Sequence, residues 1–324
     1  MNLFRFFNQW NERHYIRKCF RFDLRRYLSF SCPLEPMTKD QLRGEISIAV
    51  HVVEKGLTMP DMRWGFGRER IMTLLAHCEA FAERYDAADD VLLHAVSVLK
   101  EYAHRHDAAG IALDEMFQTS LSHLLSRFPD VPASEQPMTA RTAFFASSEA
   151  SFPIFSASRH SIRNFGKEPV PVDTLRMAAA LAQNAPSACN RQATRIYIVQ
   201  DEKLKDDILS LQNGNRGFGH LVDKLLVITS DLSYYKGGKS RNLCYVDAGI
   251  YAMNLLYSLH YYRVGACPLN WCDSPRDDAA IRNLIRIPEQ ETVVLLVACG
   301  SVPESTTQYA SSQRIEADAV IHVL

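Results

Sequence analysis

The segment Arg159-His160-Ser161-Ile162-Arg163 places two guanidinium groups and one hydroxyl within five residues. An arginine side chain presents a planar fork of hydrogen-bond donors and keeps its charge at physiological pH, which suits phosphate and other acceptor-rich ligands. A basic run is more often a solvated surface than a ligand site, so the segment alone is a weak indication. Two polar segments farther along the chain strengthen it.

The first of these is the loop 184–192 (NAPSACNRQ), which follows a helical pattern and carries the amide side chains of Asn190 and Gln192. The second is the late pair Gln313-Arg314, which adds another guanidinium group. Together the three segments indicate a ligand site more specifically than any one of them does.

In this order, the segments resemble the FMN-dependent nitroreductase family. The family begins with a basic segment ending in Phe, here residues 158–165, and continues with a helix, here residues 172–183. An Ala-Pro-Ser-x-x-Asn-x-Gln loop then leads into a strand. Near the C-terminus comes an apolar strand that ends in Gly with Pro and Glu beyond, here residues 292–304, and then a basic residue, here Arg314. The resemblance covers residues 158–324, about half of the chain.

The chain departs from the family pattern in two places. Ala193-Thr194 stands where the family has Pro-Trp, and residues 300–303 (GSVP) loosen the usual Gly-Tyr-Pro. Both changes concern the shape of the substrate pocket rather than the segments that hold FMN in the family.

Helical and strand patterns alternate over the second half of the chain, which indicates a layered core of helices and strands. The resemblance implies an α+β fold, with a nitroreductase-like mixed sheet flanked by helices. We predict helices at residues 172–183, 202–212, 241–263 and 276–286, and strands at residues 194–200, 224–231, 266–271 and 291–299.

The first part of the chain shows helical patterns alone. Thr38 and Gln41 have the spacing of a capping box at a helix start. Prolines and small residues mark a connector downstream. We therefore predict an all-helical N-terminal region at residues 1–130, a linker at residues 131–157 and an FMN-binding domain at residues 158–324.

The resemblance also assigns cofactor-binding positions. By the family pattern, Arg159 and Arg314 hold the FMN phosphate, while Ser161 and His160 contact the phosphate and the ribityl tail. Arg163 matches a position beside the flavin ring, where a guanidinium stabilises the reduced form by about 1.5–3 kcal/mol. The remaining assigned positions are the loop amides Asn190 and Gln192, the ring-facing segment Pro268, Leu269 and Asn270, and Gln313 next to Arg314. A solvent loop and an ordinary buried strand are the alternatives for the loop amides and the ring-facing segment.

The function that the resemblance implies is an FMN-dependent oxidoreductase. A nicotinamide donor, NADH or NADPH, transfers a hydride and leaves before an oxidised acceptor such as a nitroaromatic or a quinone enters, which is a ping-pong sequence. No side-chain acid or base and no metal is required. The alternative is a flavin-binding scaffold or sensor without turnover, because the changed Ala193-Thr194 and the long N-terminal half could cover the ring.

The long predicted helix at residues 241–263 carries an apolar seam formed by Leu243, Val246, Ile250, Met253 and Tyr257. The pattern by itself indicates a buried helix. In the family, this helix lies in an extensive homodimer interface, so the resemblance implies a homodimer.

The composition is that of an ordinary soluble globular protein, with 47% hydrophobic and 23% charged residues in 324. A formal net charge of −1 gives no overall attraction to nucleic acid. Eight irregularly spaced cysteines predict reduced thiols rather than a secreted disulfide framework. No long apolar run and no signal peptide is evident, so we expect a cytoplasmic protein.

Residues 1–31 differ from this average, since they hold seven Arg or Lys residues against two acids. A basic, aromatic helix can lie on an anionic membrane surface. Packing of its aromatic side chains on the chain itself or on a dimer partner is the favoured alternative, and both stay open. The aromatic residues are Phe4, Phe6, Phe7, Trp10, Tyr15, Phe20, Phe22, Tyr27 and Phe30.

The run Gly237-Gly238-Lys239-Ser240 imitates the end of a nucleotide-phosphate loop. That motif requires a glycine five residues before the second one, and Ser233 occupies the position. Nucleotide hydrolysis through Lys239 is therefore a weak third hypothesis, and a lid over a pocket is the better interpretation.

Overall fold

The computed structural model describes residues 3–31, 36–271 and 274–324. Its chain divides into two compact units. A helical unit comprises residues 28–138 and 308–324, and a sheet unit comprises residues 1–27 and 139–307.

The helical unit is built from amphipathic helices around one apolar core. Thr38 caps the N-terminus of its first complete helix. The Thr38 hydroxyl accepts a hydrogen bond from the Gln41 backbone N–H (3.3 Å), and the Gln41 side chain accepts one from the Thr38 N–H (2.9 Å). The predicted capping box is therefore confirmed. Large buried side chains such as Phe81, Tyr102 and Phe117 fill the core. The first five helices of the chain are α1 (Leu3–Ser31), α2 (Lys39–Leu57), α3 (Arg68–Arg84), α4 (Asp90–Ala108) and α5 (Glu115–Ser126).

The sheet unit alternates helices with strands as predicted, and the eight predicted elements are confirmed to within two residues at each end. Residues 131–157, predicted as a linker, form a short strand and two short helices. Among the helices described, none is both long enough and apolar enough to cross a membrane. The elements are β1 (Met138–Ala140), α6 (Arg141–Phe144), α7 (Phe152–Ser158), α8 (Val172–Ala182), β2 (Thr194–Val199), α9 (Glu202–Leu211), β3 (Lys224–Asp231), α10 (Leu243–Tyr261), β4 (Gly265–Asn270), α11 (Pro275–Ile285), β5 (Glu291–Gly300) and β6 (Thr306–Gln308).

Four strands form the main sheet in the order β2-β3-β5-β4, and β1 pairs with β6 in a separate two-stranded sheet. The predicted α+β fold is confirmed, but the main sheet is not mixed, because all three neighbouring pairs are antiparallel. Helix α10 connects β3 to β4. These two strands run in the same direction, because each is antiparallel to β5. Strand β5 lies between them, so these two parallel strands share no hydrogen bonds.

Helices α8 and α10 cover one face of the main sheet. Leu226 and Ile228 of β3 and Val297 of β5 point into this layer at every second position, as pleated strands require. Facing them, α10 presents a buried row of small and apolar side chains that includes Ala248, Ala252, Leu255 and Leu259. The layer fixes α10 against the centre of the sheet.

Gly300, the last residue of β5, lies against the ring of Phe165, which is buried. A Cβ atom at position 300 would come within 2.7 Å of that ring. Ser301, which follows Gly300, contacts the residue after Phe165: the Gly166 N–H donates to the Ser301 carbonyl at 2.8 Å. The end of β5 and the segment before α8 are therefore joined by close packing that only a glycine permits.

We expect Gly300→Ala to destabilise the protein by about 1–3 kcal/mol, because the added methyl group must displace a buried aromatic ring. Gly44→Ala is the matched control: this helical glycine has no heavy atom within 4 Å of an added Cβ, so the change should be neutral or stabilising. Urea unfolding of both variants measures the difference. Equal unfolding midpoints would contradict the close packing at Gly300.

Candidate active site

The cationic segment 159–163 lies beside the edge strand β4. Ile162 is buried, and its backbone N–H donates to the Ala266 carbonyl at 3.0 Å. Arg163 is buried as well, with 8% of its surface exposed, while Arg159, His160 and Ser161 are partly exposed. The structure thus brings the predicted phosphate-binding segment next to the strand that carries Pro268, Leu269 and Asn270.

His260, near the end of α10, lies beside this segment, and its pKa is affected by it. Its ring is packed among Phe144, Phe145 and Phe155, and its Nε2 lies 2.9 Å from the Ser158 hydroxyl. Burial, and to a smaller extent repulsion by Arg159 and His160, lowers the pKa of His260 from 6.5 to about 4. The imidazole is therefore neutral at pH 7, and the Arg159 guanidinium lies close enough to repel a further positive charge.

Strand β4 presents alternating side chains next to the cationic segment. Pro268 and Asn270 are exposed, whereas Leu269 is buried in the sheet. Proline is compatible with this position because β4 is an edge strand of the main sheet. The Asn270 carbonyl accepts a hydrogen bond from the Gln212 side chain at 3.1 Å, and the neighbouring Trp271 indole Nε1 is buried with no partner among the residues described.

The loop that follows α8 has an unusual backbone. Cys189, Asn190 and Gln192 all have φ near +50°, a left-handed conformation that costs non-glycine residues free energy. Ser187 stabilises it by accepting the Gln192 N–H at 3.0 Å, and Asp247 of α10 accepts the Ala188 N–H at 3.0 Å. Strain of this kind persists where the surroundings enforce it and is concentrated at functional sites.

The loop and the cationic segment lie at opposite ends of α10. The loop is held by Asp247, and Ser158, the residue before the cationic segment, contacts His260, thirteen residues farther along the helix. At 1.5 Å per residue this separation is about 20 Å. The hollow bounded by Ser187, Gln192 and Asp247 has a volume of only about 30 Å³, room for a water molecule but not for a flavin ring. That Asn190 and Gln192 bind the same cofactor as Arg159 and Arg163 stays a prediction.

Gln313 and Arg314 belong to the helical unit, where they line a cavity of about 300 Å³. Arg314 donates to the Ser312 carbonyl at 2.7 Å. The cavity also exposes part of His51 and His94 around the buried carboxylate of Glu54. That Arg314 and Arg159 hold one phosphate stays a prediction.

Glu54 is the most strongly perturbed carboxylate of this cavity. Burial alone would raise its pKa, but hydrogen bonds from His51, His94 and the Ser311 hydroxyl outweigh that effect and lower the pKa to about 2. The Ser312 backbone N–H adds a contact of 3.2 Å. The ionised carboxylate thus ties the chain segment 311–312 to α2 and α4.

Two residues that organise the candidate site were missed in the sequence. Asp247 and His260 are buried polar side chains within the otherwise apolar helix α10. Asp247 also accepts a hydrogen bond from Tyr235 at 3.0 Å. The sequence did show Asp247 as a lone acidic residue in an apolar helical pattern. Such a residue predicts hydrogen-bond partners, because a buried polar group requires them.

One protein-family model, described as the nitroreductase family, matches residues 157–216 and 210–301 of this chain. The matched region begins just before the cationic segment and ends just after β5. It contains the loop 184–192 and strand β4 but not Gln313 or Arg314.

Two curated relatives match parts of this chain. An NADH dehydrogenase from Thermus thermophilus is 36% identical over 91 residues, which is 26% of this chain and 43% of that protein. An iodotyrosine deiodinase from Thermotoga neapolitana is 44% identical over 50 residues, which is 15% of this chain and 27% of that protein. The chain therefore spans less than half the length of either relative.

Among solved structures, a nitroreductase family protein from Streptococcus pneumoniae has 18% identity and a TM-score of 0.47, covering 54% of this chain and all of its own. An FMN-dependent nitroreductase from Clostridium difficile has 20% identity and a TM-score of 0.44, covering 52% of this chain and 96% of its own.

The depressed pKa of His260 predicts a pH-dependent stability. Between pH 6.5 and 4 the unfolded chain protonates this residue and the folded chain does not, so stability falls as the pH is lowered through that window. The loss at low pH amounts to at most roughly 3 kcal/mol. His260→Gln should remove this part of the loss in urea unfolding between pH 7 and pH 4, whereas His220→Gln on the exposed surface should not. Parallel stability curves for His260→Gln and the parent would contradict the assignment.

Proposed function

Because residues 157–216 and 210–301 match the model of the nitroreductase family, we propose that the protein is a cytoplasmic, FMN-dependent oxidoreductase that uses NADH or NADPH. The observation that carries the proposal is the cationic segment 159–163, hydrogen-bonded alongside β4. When bound, FMN supplies hydride transfer from the nicotinamide donor to an oxidised acceptor, such as a nitroaromatic or a quinone, in a ping-pong sequence.

The residues around this segment fit a phosphorylated cofactor. Arg159, His160 and Ser161 supply charge and donors for the phosphate and the ribityl tail, and the segment contains no acidic side chain that would repel an anion. The depressed pKa of His260 is consistent with the fit, because burial is its largest cause and repulsion by Arg159 adds to it. A bound phosphate would offset that charge.

Arg163 and β4 fit the ring of the cofactor. A guanidinium buried to this degree provides a positive charge that is weakly screened by water, as needed to stabilise an electron-rich ring edge. Exposed Pro268 and Asn270, with buried Leu269 between them, offer a short edge-strand platform. The buried Trp271 Nε1–H nearby has no hydrogen-bond partner among the described residues.

The separation of Asp247 and His260, about 20 Å along α10, supports a homodimer. In it, a second copy supplies Asn190 and Gln192 to the cationic segment of the first. The apolar seam predicted in this helix points outward in the single chain, since Val246, Ile250 and Met253 are 51%, 42% and 37% exposed. Exposed apolar stripes of this kind are typical of interfaces.

The relatives support a redox reaction without fixing the acceptor. A nicotinamide donor is supported by the partial likeness to an NADH dehydrogenase. The partial likeness to an iodotyrosine deiodinase, a protein named for a different activity, leaves the acceptor open. An open ring face discriminates poorly between flat acceptors, which is consistent with this difference.

The purified protein should show a flavin spectrum, lose it on addition of NADH or NADPH and regain it with a quinone. Arg159→Ala should weaken FMN binding about 10- to 100-fold, because one charge-assisted contact to the phosphate is lost. Arg176→Ala, on the exposed side of α8, is the matched control and should retain FMN like the parent. Flavin retained after gel filtration measures the effect.

A colourless protein that takes up no added FMN would refute the proposal. Flavin that stays oxidised with both donors would instead support the scaffold alternative. Arg314→Ala tests the second phosphate position: unchanged FMN retention there, beside a loss in Arg159→Ala, would remove Arg314 from the site.

The homodimer is tested by Ile250→Glu, which places a carboxylate on the outward seam of α10. We expect a monomer by light scattering and loss of FMN at the same protein concentration, since the loop amides of the second copy are then absent. Leu284→Glu, an exposed apolar residue on α11, should leave both properties unchanged. A monomeric variant with full FMN content would mean that the site is complete in one chain.

A further inference from the structure

Helix α1 contacts the sheet unit along one narrow strip. Among residues 10–31, only Ile16, Cys19 and Asp23 are partly buried, and their spacing places them on one face of the helix. Asp23 forms a two-pronged ion pair with Arg241, whose Nη2 lies 2.8 Å from Oδ1. The remaining side chains of this stretch are exposed.

The loop 237–240, predicted as a lid over a pocket, packs against helix α1 instead. Gly238 and Ser240 are buried, and a Cβ at Gly238 would lie 3.0 Å from the Cys19 sulfur. Gly237 has φ of +73° and faces the side chain of Glu12. The loop therefore needs its glycines so that α1 can approach closely. Helix α1 contains two acidic residues, Glu12 and Asp23. Both face the side of the helix that contacts this loop and Arg241.

The opposite face of α1 carries cations. Arg13, Arg17 and Arg21 follow one another at four-residue spacing, with Lys18 beside them, and all four are exposed. Like charges at this spacing destabilise a helix by about 0.2–0.5 kcal/mol per pair, so the arrangement does not serve the stability of α1. A surface hollow of about 320 Å³ lies among these side chains, lined by His14, Lys18, Arg21, Leu24 and Arg25.

Apolar and aromatic groups lie among the cations. Trp10 stacks on His14 with ring centroids 5.8 Å apart, and Trp10 and Leu24 are each 56% exposed. Phe20 and Tyr27 flank the same face and are exposed as well. The side chains of Phe4, Phe6 and Phe7 lie outside the described part of the chain. Indole and phenol rings beside Arg and Lys are the composition that favours the interface of a bilayer.

We propose that the outward face of α1 docks on an anionic lipid surface, with the helix lying parallel to it. Arg13, Arg17, Lys18 and Arg21 meet the negative headgroups, and Trp10 and Leu24 reach the boundary of the acyl layer. A second copy of the chain is a poor occupant of this face, because two such rows of cations repel each other. A nucleic-acid duplex offers phosphates but no apolar layer for the indole and leucine side chains.

The test is binding of the full chain to vesicles of phosphatidylcholine with and without phosphatidylglycerol, followed by flotation. The parent should bind the anionic vesicles alone and lose affinity as salt is added. Arg13→Gln/Arg17→Gln/Arg21→Gln should bind about 100-fold more weakly, since each cation contributes roughly a fivefold factor in affinity. Arg176→Gln/Lys203→Gln/Arg216→Gln, which removes equal charge from exposed positions elsewhere, should bind like the parent.

Two further measurements separate charge and insertion from loss of folding. The triple lysine variant of Arg13, Arg17 and Arg21 should restore binding, because it keeps the charge. Tryptophan emission should shift to shorter wavelength with anionic vesicles, and this shift should be absent in Trp10→Phe. The proposal is overturned if the parent ignores anionic vesicles, if the glutamine triple variant binds as the parent does, or if duplex DNA is bound tightly while the vesicles are not.

Discussion

The packing of α10 against the main sheet is the constraint on which the candidate site depends. Its small and apolar side chains hold the helix to β3 and β5, and two of its buried polar residues contact the polar segments or their edge. Asp247 holds the loop after α8, and His260 contacts Ser158, the last residue before the cationic segment. A helix is rigid over this length, so the two segments stand at a set distance from each other. In the proposed dimer there are two sites, and each chain contributes the cationic segment to one of them and the loop amides to the other.

Charge placement, rather than net charge, distinguishes this protein. The formal net charge of −1 conceals two local concentrations of positive charge, one along residues 159–163 and one on the outward face of α1. In the first, the cations are close enough to a buried imidazole to depress the pKa of His260. In the second, the acids of the helix face the protein and the cations face solvent. Each arrangement costs free energy in the absence of an anion, which is the physical reason to assign each of them an anionic ligand.

Two features of the nitroreductase pattern are explained by one contact. The basic segment ends in Phe165, the apolar strand ends in Gly300, and the aromatic ring lies on the glycine. The motif residues at positions 165 and 300 thus hold the cationic segment in place. The departures at Ala193-Thr194 leave this contact untouched, since Ala193 is buried before β2 and its carbonyl accepts the Asp231 N–H at 3.0 Å.

The sequence by itself determined the order and ends of the main elements, because hydrophobic periodicity, capping residues and glycines act locally. It also identified the cationic segment and its neighbours on β4, which follow the family pattern. Tertiary structure alone decided that β5 separates β3 from β4, that α1 sits on the glycine loop 237–240, and that Gln313 and Arg314 lie with the helical unit. It also revealed Asp247 and His260 as the anchors of the two polar segments. These outcomes depend on contacts between residues far apart in the chain, and local patterns carry no information about which distant partner a buried polar group or an open helix face will find.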